Sequence, residues 1–138
     1  MSTLALDIGA VRIGVAAAND SRIATPLETV RAQPRSAAID RVAELVEERG
    51  VREIVVGLPL ELSGREGAAV RRVRRFTAAL ATALPEVAIV EWDERLTSVA
   101  AESSLIESGV RRAARKQVID QVAAVLILQG YLDSERHR

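Results

Sequence analysis

Thr3-Leu4-Ala5-Leu6-Asp7-Ile8-Gly9-Ala10-Val11-Arg12-Ile13-Gly14-Val15-Ala16-Ala17-Ala18 sets two apolar stretches either side of a turn of low steric bulk. Residues 3–7 and 12–18 read as strands, with Gly9 and Gly14 permitting close backbone approach, so the chain starts like a hairpin. A weaker third strand falls at 27–31. Beyond it the pattern changes to alternating helices and strands. Ser36 is placed to cap a helix to Arg49, with Ile39, Val42, Ala43 and Val46 as its apolar stripe and Gly50 as its stop. Residues 53–57 contain Ile54-Val55-Val56, a β-branched run suited to a strand buried on both faces. An amphipathic helix follows over 67–84, with Ala69, Val73, Phe76, Leu80 and Leu84 on one face and Arg71 and Arg75 pointing away, flanked by Arg72 and Arg74. Pro85 ends it, and a strand follows at 87–92. Thr97 or Ser98 is placed to cap a helix to Ser108, stopped by Gly109. Residues 109–116 read as a basic loop, and a last helix runs over 116–133. An antiparallel start followed by βα units predicts an α/β fold, a mixed sheet covered by helices on both faces and five-stranded when 27–31 is counted.

Composition narrows the chemistry. The chain has 138 residues and 49% hydrophobic content, enough for one domain with a sizeable core, and no repeat or linker divides it. With one Trp, one Tyr and one Phe, that core is built from aliphatic residues, and aromatic platforms for stacking single-stranded bases are not expected. Absence of cysteine excludes disulfides, thiolate metal sites and a cysteine nucleophile. The one histidine, His137, lies in a charged tail, which argues against His-based triads and zinc sites. A metal here would be held by oxygen, favouring Mg²⁺ or Mn²⁺. No apolar run approaches the ~20 residues that span a bilayer, and no leader pattern opens the chain, so a soluble, cytoplasmic protein without membrane contact is expected. The net charge is +0, which argues against a generic nucleic-acid coat. The cations nevertheless cluster at 71–75 and 111–116, and all but Lys116 are arginine, a residue suited to bidentate phosphate contacts.

Three acidic positions are the candidates for chemistry. Asp7 and the Asp93-Glu94 pair end apolar runs, and Asp120 interrupts the apolar pattern of the last helix. A carboxylate beside a buried element loses hydration, which costs several kcal/mol unless a cation or donors compensate. Each has a plain alternative: Asp7 as a strand terminator, Asp93-Glu94 as a salt-bridged surface turn, Asp120 as an acid favoured near a helix start. Their combination points to a metal site, with the strand-end acids meeting if those strands are neighbours. Successive strand residues face opposite ways, so one member of the Asp93-Glu94 pair is expected to face the metal. Gln117, Asp120, Gln121 and Ala124 share the helix face that would border such a cavity. The loop Gly57-Leu58-Pro59-Leu60-Glu61-Leu62-Ser63-Gly64-Arg65-Glu66-Gly67 suits turn chemistry or backbone phosphate binding, but it lacks the Gly-Lys-Ser/Thr ending of a nucleotide P-loop. A D-x-G turn also occurs in actin- and hexokinase-like kinases, whose two duplicated domains this chain is too short to supply.

Taken together, Asp7-x-Gly9 with Arg12-Ile13-Gly14, Gly57-Leu58-Pro59 with Gly64 and Gly67, Asp93-Glu94-Arg95-Leu96-Thr97, and Arg115-Lys116 with Ile119-Asp120 and Ala123-Ala124 resemble the YqgF family. These are small bacterial proteins described as Holliday-junction-resolvase-like or pre-16S ribosomal RNA processing nucleases, and the resemblance covers essentially the whole chain. It implies a single ribonuclease H-like nuclease domain over 1–138. It also implies acidic catalytic positions at Asp7, at Asp93-Glu94 with Glu94 the first choice, and at Asp120. Val11 and Glu61 depart from the family pattern, and both lower the local positive charge. The implied activity is metal-dependent phosphodiester hydrolysis. Asp7, Glu94 (or Asp93) and Asp120 would hold two Mg²⁺ or Mn²⁺ ions about 3.5–4 Å apart, and Arg12, Arg95, Arg115 and Lys116 would contact substrate phosphates. The expected role is processing of the 5′ end of pre-16S rRNA in ribosome biogenesis. A resolvase of branched DNA, a non-catalytic RNA-binding assembly factor and a small-molecule phosphatase are the alternatives. A resolvase cutting two strands symmetrically would need a homodimer, whereas an end-processing nuclease would not, so monomer and homodimer both stay open.

Overall fold

The computed structural model describes residues 2–20, 22–96 and 112–135, and among these the side chains of residue 96 and residues 112–120 lie outside the description. Five strands, β1 (Ser2–Ile8), β2 (Arg12–Ala18), β3 (Thr25–Arg31), β4 (Val51–Leu58) and β5 (Ala88–Asp93), form one mixed sheet in the order β3-β2-β1-β4-β5. Three helices are described: α1 (Arg35–Arg49), α2 (Ala68–Ala83) and α3 (Arg112–Glu135).

The opening hairpin forms as expected, β1 pairing antiparallel with β2 so that Asp7 lies opposite Gly14. β4 then pairs parallel to β1, with Leu6 beside Val56, and β5 parallel to β4, with Leu58 beside Asp93. The C-terminal ends of β1, β4 and β5 therefore share one edge of the sheet. β3 is two residues longer at its start than the sequence suggests, and it carries Pro26. Proline is tolerated there because the strand is at the sheet edge and needs no donor on its outer side.

One face of the sheet packs Leu4, Leu6, Ile13, Val15, Ile54 and Val56 against Val42 and Leu45 of α1 and Val73, Phe76 and Leu80 of α2. Each such aliphatic side chain, fully buried, contributes about 1.5–3 kcal/mol. The other face carries short side chains, Ala5, Ala16 and Ala18 with Val55, and α3 lies on them through Ala124, Ile127, Leu128 and Leu132. Polar contacts lock α3 along its length. Gln121 Nε2 donates to Thr29 Oγ1 at 2.8 Å, the Ala24 amide donates to Gln129 Oε1 at 3.0 Å, and Tyr131 Oη donates to Glu53 Oε2 at 2.9 Å. The Trp92 and Tyr131 rings meet edge to face with centroids 6.1 Å apart.

Two local expectations change. Ser36 does not cap α1: the cap is Pro34, with no side-chain hydrogen bond, because the helix begins at Arg35, two residues earlier than a cap at Ser36 would start it. Gly50 does close that helix in the left-handed region (φ 61°, ψ 43°). Residues 112–116, expected in a loop, are already helical in α3. Arg112, Ala113, Ala114, Arg115 and Lys116 are all strong helix formers, and the cluster of positive charge disguised that. The expected helix over 97–108 lies outside the described residues.

Candidate active site

Asp7 is the penultimate residue of β1 and is half-buried. Strand alternation puts it on the same face as Ala5, the face that α3 covers. Two strands away, β5 ends at Asp93, and a 3₁₀ turn (Glu94–Leu96) begins at once. That turn brings the Glu94 side chain back over the sheet edge, where its carboxyl group hydrogen-bonds that of Asp7. Between the two lies Gly57 on β4, whose missing side chain leaves their meeting place open. A Cβ there would stand 2.6 Å from Glu94 Oε2 and 2.5 Å from Ile127 Cδ1. Parallel pairing of β1, β4 and β5 therefore creates the pair, and a glycine makes room for it.

The electrostatics of the pair are those of a site short of positive charge. Burial pushes the Glu94 carboxyl above the ordinary glutamate value of 4.5, and the nearby Asp93 charge adds to this. The Asp7 hydrogen bond and the field of Arg72 act the other way without cancelling it. Asp93 behaves differently. It accepts the Arg95 backbone amide at 3.0 Å and the Arg95 guanidinium through both carboxylate oxygens, the shortest contact being 2.6 Å. These bonds hold Asp93 below the usual carboxylate range. Adjacent acids thus have separate surroundings: Glu94 meets Asp7, and Asp93 is tied to Arg95.

The other sequence candidates are placed as follows. Asp120 occupies the position in α3 one turn before Ala124, which is fully buried on the sheet. Its side chain, and those of Arg115 and Lys116 in the first turns of α3, lie outside the described residues, as does the expected basic segment 109–111. Arg12 begins β2 opposite Arg31, beyond the turn that follows Asp7. Among the described residues no group of three metal-ligating side chains is gathered in one place.

Two features were not singled out from sequence. Gly57 was read as part of a loop signal, whereas its use is to leave room for Glu94. Arg72, within the 71–75 cluster, is half-buried and close enough for its charge to act on Glu94. Its spacing held the clue, since position 72 lies one turn from Phe76 and borders the apolar stripe of α2.

A mixed five-stranded sheet with an antiparallel start, a parallel continuation and two acids meeting at the shared C-terminal strand ends is a ribonuclease H-like fold. Solved structures agree on that fold. RuvC of Thermus thermophilus in complex with a Holliday junction substrate aligns with a TM-score of 0.66 at 17% identity, covering 99% of this chain and 96% of that one. The fowlpox virus resolvase, solved with Holliday junction DNA, aligns at 0.59 with 10% identity over 98% of this chain and 99% of that one. The family model RuvX, described as Holliday junction resolvase, matches residues 1–134, and the chain belongs to this family. Among its relatives, a Chloroflexus aggregans protein named "Putative pre-16S rRNA nuclease" is 51% identical over 135 residues, covering 97% of this chain and 94% of its own. A Streptomyces coelicolor protein of the same name is 48% identical over 134 residues, covering 96% and 80%. No helix among the described residues is long and apolar enough to cross a membrane.

Proposed function

We propose that the chain is a divalent-metal-dependent nuclease that processes the 5′ end of pre-16S rRNA in the cytoplasm during ribosome biogenesis. One observation carries the catalytic reading: Asp7 and Glu94, separated by most of the chain, meet over Gly57 at the shared end of three parallel strands. The relatives' names support the RNA substrate.

The donor set fits a hard cation. It offers carboxylate oxygens alone, and burial makes the charge on Glu94 costly until a cation balances it. Asp7, Glu94 and Asp120 are the residues that would hold Mg²⁺ or Mn²⁺. The bound ion would supply acidification of the attacking water and neutralisation of charge on the leaving oxygen. Asp93 has a positioning role in this reading. Its bonds to Arg95 fix the turn that carries Glu94, and the Arg95 guanidinium would contact a substrate phosphate. Arg12, Arg115 and Lys116 are the further candidates for substrate phosphate contacts.

The second reading, cleavage of branched DNA, is favoured by the description of the RuvX family. It demands a dimer, because symmetric resolution needs two sites. The test is a cleavage assay with a 5′-extended pre-16S fragment and a four-way DNA junction, in Mg²⁺ or Mn²⁺, for wild type and Asp7→Asn. The proposal expects metal-dependent RNA cleavage that is lost in the variant. RNA binding without cleavage would replace it with a non-catalytic assembly factor, and turnover of phosphomonoesters alone with a phosphatase.

A further inference from the structure

The turn that follows Asp7 has a second side. Ile8 and Gly9 form one wall of a cleft of about 150 Å³ whose other walls are Ala32 and Gln33 ahead of α1, Arg35 at the start of α1, and Arg72, Arg75 and Phe76 of α2. This volume holds about five waters, room enough for a phosphate group. Three arginines converge here from two elements, and the cleft contains no acid.

The arginines outside the cleft are handled differently. Arg74, next to Arg75, is tied by Glu66 and Glu91, and Arg41 of α1 is tied by Glu28 and Glu44. Among the described residues Arg35, Arg72 and Arg75 make no ion pair within 4 Å, and Arg72 Nε is buried with no hydrogen-bond partner. A buried donor left unmatched is a cost that folded proteins avoid unless a bound ion, ligand or ordered water meets it. The matching acceptor for several arginine donors around a small cleft is a phosphate oxygen. The cleft is set on the α1–α2 side of the turn after Asp7, and the Asp7–Glu94 pair is on the α3 side.

We propose that Arg35, Arg72 and Arg75 form a phosphodiester-binding cleft that grips the nucleic-acid backbone beside the Asp7–Glu94 pair, on the other side of the turn at Gly9. The inference rests on the reading of this chain as a nucleic-acid enzyme, but it concerns binding and is separable from catalysis. It makes the RRVRR segment a divided surface, with Arg74 bound to acids, Arg71 in solvent, and Arg72 and Arg75 gripping substrate.

The test measures binding of a pre-16S RNA fragment and of a four-way DNA junction across a salt titration, in the Asp7→Asn background so that the substrate stays intact. The Arg35→Gln/Arg75→Gln pair, both at exposed positions, is expected to weaken binding about 10- to 100-fold at low salt and to lower the salt slope by roughly 1 to 2, since each neutralised phosphate contributes about 0.7–0.9. Arg72→Gln alone should lower the slope by about 0.7–0.9, and Arg71→Gln, on the same helix but outside the cleft, should leave it unchanged. In parallel, the Arg72 Nε–H resonance is followed on adding nucleic acid or inorganic phosphate. Unchanged slope and affinity in the folded double variant would overturn the cleft. So would an Arg72 response to inorganic phosphate with none to nucleic acid, which would indicate a free-anion site. Cleft-dependent binding with no cleavage by wild type would remove the proposed activity and leave the cleft standing. Asp7-dependent cleavage with binding insensitive to the arginines would do the reverse.

Discussion

Replacing Gly57 by alanine puts a methyl carbon 2.5 Å from Ile127 Cδ1 and 2.6 Å from Glu94 Oε2. Carbon contacts are comfortable at about 3.5–4.0 Å, so one or both neighbours must retreat by roughly 1 Å. Ile127 is fully buried among Ala5, Val55, Ala124 and Leu128, and moving it disturbs the layer between α3 and the sheet. Overpacking of that kind costs about 1–3 kcal/mol, a fall in Tm of roughly 3–12 °C for a chain of this size. Glu94 is the cheaper group to move because its carboxylate ends a flexible side chain, but moving it breaks the pairing with Asp7. A misplacement of about 1 Å in a catalytic constellation can cost about 100-fold in rate, so kcat/KM should fall at least that far. Gly50→Ala separates the two effects. It strains a left-handed helix cap with nothing within 4 Å, so it should lose about 1 kcal/mol and keep its activity. Thermal melts with and without Mn²⁺, beside cleavage kinetics for both variants, decide the matter. A Gly57→Ala protein with wild-type melting, metal response and cleavage would refute the reasoning that Gly57 makes room for the site.

Further outcomes follow from the surroundings of the acids. Asp93→Asn should weaken the bonds to Arg95 and lower kcat/KM by about 10-fold or less, while Glu94→Gln should lower it by 1,000-fold or more, as loss of a metal-holding carboxylate implies. Equal losses, compared by steady-state kinetics, would show that Asp93 is the ligand. Glu94→Gln should also change the pH dependence of stability in metal-free protein. Because burial raises the Glu94 value above 4.5, the stability tied to its protonated form is present below that value and is lost as pH rises through the raised one. The variant should therefore melt higher than wild type at neutral pH, with the gap closing in acid, as denaturant titrations across pH would show. By the same linkage Mn²⁺ displaces a proton from wild type, and calorimetry in buffers of different ionisation enthalpy should register that release, with none or less from Glu94→Gln.

Much of this arrangement was legible in the residues themselves. Asp7 and Glu94 each follow an apolar β run, and the change from hairpin to βα units made the later strands parallel, so both acids had to fall at C-terminal strand ends. Strand alternation predicted that Asp93 and Glu94 would part company, but not which would face the site. That depended on the 3₁₀ turn and on the hold of Arg95, neither of which has a period to read. Gly57 and the arginine cleft were illegible for another reason. Gly57 is needed because of what Ile127 and Glu94 bring to it from distant segments, and the cleft joins Arg35 to Arg72 and Arg75 only because α1 and α2 pack side by side on one sheet face. Positive charge misled at 112–116, where a basic loop was expected and good helix formers extend α3.

In the proposed function Asp7, Glu94 and Asp120 together make a metal-dependent nuclease centre. The most direct measurement is single-turnover cleavage of the 5′-extended pre-16S fragment by wild type, Asp7→Asn and Asp120→Asn, each shown to be folded, across a Mn²⁺ titration with an EDTA control. Wild type is expected to cleave with a rate that saturates with metal and vanishes in EDTA, and either variant to lose at least 1,000-fold. Robust cleavage by folded Asp7→Asn or Asp120→Asn, or cleavage by wild type that persists in EDTA, would contradict it.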